Sequence, residues 1–124
     1  MFKLLNDIRI IDLRTIVLGP YATKLLADFG AEVVKIEPED GDLFRTVRPG
    51  RTNDVGAGFM NFNRSKRAVV LDLKSESGHS ALKELIKDAD VLGHNMRVSS
   101  AERLGIDFKT AKKMNPKLVY CYSP

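Results

Sequence analysis

Residues 9–37 constrain the fold more than any other stretch. Arg-Ile-Ile-Asp-Leu at 9–13 reads as a short buried strand. Gly19-Pro20 then turns the chain into a helical pattern over 21–29, where Leu25, Leu26 and Phe29 share a face. Pro20 fits the first helical position, where no N–H is needed, and Gly30 ends the helix as a left-handed cap. Ala-Glu-Val-Val-Lys-Ile-Glu at 31–37 is a second strand. Strand, helix and strand in so short a span make a βαβ unit, with parallel strands and a right-handed crossover.

The rest of the chain continues the alternation after one interruption. Residues 38–58 hold Pro38, Gly41, Pro49, Gly50, Gly56 and Gly58 among charges and read as a long loop with one short helical turn. A loop of that length in a compact domain is usually functional or packed on something else. A weak helical turn at 59–63 precedes a third strand at 68–73, apolar and β-branched, and so read as buried. Residues 75–89 form an amphipathic helix with Ser75 and Ser77 as candidate N-caps. A strand at 91–95, short helices at 99–104 and 108–114 around Gly105, and a strand at 118–123 complete the chain. The order is β-α-β-loop-β-α-β-α-β, an α/β fold with a Rossmann-like open parallel sheet and helices on both faces. The last strand has nothing after it, so the chain is expected to be the first part of a longer one.

Composition excludes several classes. The net charge of +4 comes from cations and acids spread throughout, which permits an anionic ligand but lacks the dense Lys/Arg blocks of a nucleic-acid binder. No stretch approaches the roughly 18 consecutive apolar residues of a membrane helix, and the first residues lack a signal-peptide core. No nucleic acid and no membrane are therefore expected as partners. The single cysteine, Cys121, lies in an apolar run and is expected to be a buried structural thiol, which fits a reducing, cytoplasmic location. His79 and His94 lie on different elements without ligand spacing, so no metal is expected.

The candidate chemistry gathers at three places. Arg64, Lys66 and Arg67 precede the third strand and Lys74 closes it. Fixed positive charge at both ends suits a polyanion such as a phosphorylated cofactor; the same cations also serve as gatekeepers against aggregation. The first βα turn, at 17–20, delivers N–H groups at a helix start, without a GxGxxG or Walker pattern. Asn95-Met96-Arg97 follows a strand directly, where Asn can bond an amide and Arg can clamp a phosphate; a plain Asn turn with a surface Arg fits equally. Arg103 lies close enough on a helix to join Arg97. His94 ends a strand and is either functional or a satisfied structural histidine. No aspartate has a partner that marks it as a nucleophile.

Taken together, these stretches resemble the N-terminal part of the class III CoA-transferase family, which includes formyl-CoA and carnitinyl-CoA transferases and the related α-methylacyl-CoA racemases. The matching blocks are Ile-Ile-Asp-Leu at 10–13, Gly-Pro-Tyr-Ala-Thr at 19–23, Leu-Leu-Ala-Asp-Phe-Gly-Ala-Glu-Val-Val-Lys-Ile-Glu-Pro at 25–38, Asn-Arg-Ser-Lys-Arg at 63–67, Leu-Asp-Leu-Lys at 71–74, Ala-Asp-Val at 89–91, Asn-Met-Arg at 95–97, Glu-Arg-Leu-Gly at 102–105 and Asn-Pro-Lys-Leu-Val-Tyr at 115–120. They follow the family's order and spacing over essentially the whole chain. The resemblance implies that residues 1–124 are the N-terminal, CoA-binding part of a large Rossmann-like domain, with the small domain absent. It also implies a homodimer whose subunits interlock like links of a chain.

By matched position, the resemblance implies CoA contacts at Val17 and Leu18, at Leu71, Asp72, Leu73 and Lys74, at Asn95, Met96 and Arg97, and at Arg103. Pro38 stands where some members carry Arg, and Val98-Ser99-Ser100 replaces the more usual Pro-Gly. The implied substrates are an acyl-CoA and a carboxylic acid. The implied chemistry is covalent, through an aspartate that passes the acyl group on by way of an aspartyl-CoA thioester. That aspartate follows a glycine-rich segment downstream of the Leu-Val-Tyr strand, so no catalytic residue is expected within these 124 residues. The alternatives are a racemase-type member and an inactive chain that serves only as a CoA-binding or assembly module.

Overall fold

The computed structural model describes residues 3–124. Five strands form one parallel sheet: β1 (Arg9–Asp12), β2 (Glu32–Glu37), β3 (Arg67–Val70), β4 (Val91–His94) and β5 (Val119–Tyr122). Their order across the sheet is β3-β2-β1-β4-β5. The direction of winding reverses between β1 and β4. In open α/β sheets that reversal leaves a crevice outside the carboxyl ends of the strands.

The helices are α1 (Leu18–Asp28), α2 (Ala57–Asn63), α3 (Glu76–Lys87), α4 (Val98–Arg103) and α5 (Phe108–Met114), with a 3-10 turn at Leu43–Thr46. Strand alternation divides the core in two. Ile10 and Val33 point to one face and pack with Ala27 of α1. Ile11, Val34, Ile36 and Leu92 point to the other and pack with Leu82 and Ile86 of α3, Ala101 of α4 and Ala111 of α5. The α1 face changes character along the strands. Beyond Ile10 and Val33 it carries Asp12, Lys35 and Glu37, all buried.

Local chemistry sets most boundaries. The Ser75 hydroxyl accepts from the Gly78 N–H at 3.0 Å and caps α3. Asp107 caps α5 in the same way, through the Thr110 N–H at 3.1 Å. Asn115 ends α5 by donating to the carbonyls of Ile86 and Ala89, at 3.0 and 2.7 Å, which ties that helix to the end of α3. Gly30 has φ 104°, as a left-handed cap requires.

Three expectations need correction. The run at 68–73 is not a buried strand: β3 stops at Val70, three of its four residues are exposed, and Val70 is 59% exposed. An apolar run signals burial on both faces only for an interior strand, and β3 is at the sheet edge. Cys121 is exposed for the same reason, because β5 is the opposite edge. Pro20 is the third residue of α1 rather than the first, since the helix begins at Leu18 with Val17 as an N-cap lacking a side-chain bond. Its missing N–H is still one of the first-turn groups without an intrahelical acceptor.

Candidate functional site

The carboxyl ends of β1, β2, β3 and β4 converge on a cleft of about 430 Å³. Leu13, Ile36, Leu71, Leu73 and Met96 give it an apolar lining. Thr15 and Asn95 stand at the β1–β4 reversal, and Glu37, Pro38, Glu39 and Asp40 form the wall that leaves β2. Lys74 and Asp72 close the β3 side. A second cavity of about 620 Å³ shares Leu73 and Lys74 with the first and adds Ser75, Glu76, His79, Ser100, Arg103 and Leu104.

The segment after β3 owes its form to Asp72. Its carboxylate accepts from the Lys74 N–H at 2.9 Å, and its carbonyl accepts from the Ser75 N–H and hydroxyl at 3.1 and 2.7 Å. This Asx-type turn carries Lys74 to the start of α3, between the two cavities. Arg103 reaches the second cavity from the end of α4, its guanidinium 3.3 Å from the Ser100 hydroxyl. The ring of His79 bonds the Leu104 carbonyl and joins α3 to the end of α4.

Of the residues singled out from the sequence, Leu71, Asp72, Leu73, Lys74, Asn95 and Met96 line the first cleft, and Lys74 and Arg103 line the second cavity. Val17, Leu18 and Arg97 are exposed and line neither. Arg97 is the N-cap residue of α4. The Asn95 amide is engaged within the chain: it accepts from the Thr15 N–H at 3.2 Å and donates to the Thr15 carbonyl at 3.3 Å.

The cations at the start of β3, Arg64, Lys66 and Arg67, line neither cavity. Arg64 pairs with Asp28 at 3.2 Å and Arg67 with Glu32 at 3.1 Å. The Lys66 side chain is buried, its ammonium donating to the Pro20 carbonyl and the Asn63 side-chain oxygen at 2.9 Å each, and 3.4 Å from Asp12. Burial pushes the Lys66 amine down to about 8, against the pull of Asp12. Positive charge therefore reaches the cleft only at the exit of the strand, not at both ends.

Sequence reasoning missed a buried polar cluster under the turn between β1 and α1. Asp12 accepts from the Thr23 hydroxyl at 2.5 Å and from the Arg14 guanidinium at 3.0 Å. The Arg14 side chain lies across Gly19 and Gly93, at both of which a Cβ would collide with it. Lys35 pairs with Asp42 at 2.9 Å, and Arg45 grips Glu37 through two bonds of 2.7 Å. Burial works against the ionised Glu37; Arg45 and the Asp42 N–H outweigh it and hold the carboxyl below its usual range. The available signal was a charged residue inside an otherwise apolar strand, as Lys35 is among Val33, Val34 and Ile36. Among the described residues no cluster of His, Cys, Asp and Glu is suited to a metal ion.

An open parallel α/β sheet with a cleft at its winding reversal defines a class of small-molecule-binding domains. The chain belongs to CoA-transferase family III, whose model matches residues 5–123. It is 38% identical over 120 residues to a succinyl-CoA:mesaconate CoA-transferase of Haloarcula hispanica, covering 94% of this chain and 30% of that protein. It is 38% identical to a formyl-CoA:oxalate CoA-transferase of Afipia carboxidovorans, covering 96% of this chain and 28% of that protein. A CAIB/BAIF family protein from Brucella suis superimposes with a TM-score of 0.92 at 31% identity, over 98% of this chain and 33% of that one. The chain thus spans about a third of the length of these relatives.

Proposed function

We propose that these 124 residues form the CoA-holding part of a CoA-transferase, which moves CoA between an acyl-CoA and a carboxylic acid. The observation that carries this is the pair of adjoining cavities at the carboxyl edge of the sheet, with Lys74 between them, in a chain whose relatives are named CoA-transferases. CoA joins a polyanionic nucleotide to a long neutral arm, and the two cavities divide in the same sense. The first is apolar, with Glu37, Glu39, Asp40 and Asp72 at its rim, and repels phosphate. The second sets the cations Lys74 and Arg103 against a single carboxylate, Glu76, beside the N-terminus of α3, a balance that favours it. The phosphates accordingly go to Lys74 and Arg103, and the neutral portion lies over Leu13, Ile36 and Leu71. Val17, Leu18 and Arg97 contact the parts of CoA that extend beyond the cavities.

The covalent step belongs to an aspartate outside these residues. Asp12, Asp42, Asp72 and Asp107 are each committed to a structural bond, which removes them from that role. The whole enzyme is an interlocked homodimer in this reading. Incubation with an acyl-CoA and an isotopically labelled carboxylate tests the assignment. The 124-residue chain should bind CoA without moving label into thioester, and a full-length protein containing it should move label. Exchange of the α-proton of a 2-methylacyl-CoA without label transfer would instead identify a racemase-type member.

A further inference from the structure

The turn between β1 and α1 is held in a conformation that its sequence does not favour. Ile16 has φ 72°, in the left-handed region, which a β-branched residue adopts only when its surroundings over-determine it. Three side chains supply that constraint by satisfying four consecutive main-chain groups. Lys35 donates to the Arg14 carbonyl at 2.8 Å. Asn95 takes the Thr15 N–H and carbonyl. Asp42 accepts from the Ile16 N–H at 3.2 Å. Lys35 and Asp42 are paired with each other, and their side chains are 1% and 0% exposed. Asp42 is in turn anchored by its own N–H to Glu37 at 3.0 Å, and Glu37 is held by Arg45. Thr15, at the centre of the clamp, lines the cleft, while Lys35 and Asp42 are not among its lining residues.

We infer that the Lys35–Asp42 pair is a positioning device for the cleft. It holds Ile16 left-handed, and so presents Thr15 to the ligand in one fixed form and starts α1 at Leu18. A buried ion pair by itself is weak evidence for stability, since an apolar pair of similar volume often serves as well. Here each member also bonds the main chain of the same turn, so the pair fixes geometry. The inference rests on the reading of the cleft as a CoA site, and it makes the affinity for CoA depend on two residues that do not touch it.

Calorimetric titration of CoA into four proteins tests this: the unaltered chain, Asp42→Asn, Ile16→Gly, and the double variant. Asp42→Asn should bind CoA about tenfold more weakly, equivalent to about 1.4 kcal/mol. Ile16→Gly should bind within about threefold of the unaltered chain, because glycine takes a positive φ without strain. The double variant should recover most of the affinity lost in Asp42→Asn, a rescue that a merely structural aspartate would not show. Asp42→Asn binding as well as the unaltered chain, or no rescue in the double variant, overturns the inference. If Asp42→Asn does not fold, the melting temperature of Ile16→Gly decides. A rise supports a strained turn, and a fall contradicts it. Failure of the unaltered chain to bind CoA counts against the proposed function, and the Ile16→Gly melt then still decides whether the turn is held under strain.

Discussion

His94 shows at the residue scale what the sequence left open. It ends β4, 1% exposed, and the Met96 N–H donates to its Nδ1 at 3.2 Å. That bond fixes the tautomer with the proton on Nε2, 2.6 Å from the Tyr120 hydroxyl, which donates to the Ile106 carbonyl at 3.0 Å. A ring held neutral on both sides is structural, and position at a strand end alone did not reveal its partners. Burial, then the nearby Arg14 charge, lowers its pKa. The unfolded chain therefore takes up the proton first as pH falls. The His94 contribution to stability is complete above its unfolded pKa of about 6.5 and is lost progressively below it. Thermal melts should decline from pH 7 to pH 5, and His94→Gln should flatten that slope; an unchanged slope would contradict the neutral assignment. Asp12 sets a larger effect. Asp12→Ala leaves Arg14 and Lys66 buried without their carboxylate, at an expected cost of about 3–5 kcal/mol in urea denaturation. A loss below about 1 kcal/mol would show that the cluster is not held by this carboxylate.

At the scale of elements, legibility followed position in the sheet. The interior strands β1, β2 and β4 and the helix α3 were readable, because burial on both faces and a helical stripe leave clear periodicity. The helix α1 was readable but its buried face was not: Leu25 and Phe29 of the expected apolar face are exposed, and Gly19, Pro20, Thr23, Lys24 and Ala27 are buried instead. The edge strands were read as strands but their burial was misread, since an apolar run does not say whether a neighbour lies beyond it. Cys121 provides a direct check. It is exposed on β5, with Sγ 3.6 Å from an Arg14 nitrogen. Native protein should react with one equivalent of a thiol reagent without denaturant, whereas a thiol that reacts only after unfolding would restore the buried reading. The turn after β3 was not legible: 71–73 read as strand, and only the structure shows Asp72 turning the chain toward Lys74. Of the wall at 38–40 only Pro38 was singled out, as a position where some members carry Arg, although residues that directly follow a parallel strand are the ordinary place for ligand contacts. Asn95 was singled out for its place after β4; it lines the cleft, and its bonds to Thr15 make it a holder of the turn.

Over the whole molecule, the sheet, its layers and the family were legible because nine sequence blocks kept their order, and the matched model spans residues 5–123. What lies over the exposed surfaces was not. Leu18, Tyr21 and Leu25 form an exposed stripe along α1, with Leu18 71% exposed, and Val119 and Tyr122 are exposed on β5. An apolar surface of this extent favours association. Sedimentation velocity should show a weight-average mass rising with concentration, and Leu25→Lys should reduce the rise; a single monomer boundary at all concentrations would contradict it. The central claim is that the cleft and its neighbour hold CoA, with Lys74 between them. Calorimetric titration of CoA into the unaltered chain and into Lys74→Ala tests it most directly. The expected result is saturable binding, weakened about tenfold by the substitution and further by added salt. Absence of binding at millimolar CoA, or equal affinity of the two proteins, would contradict it.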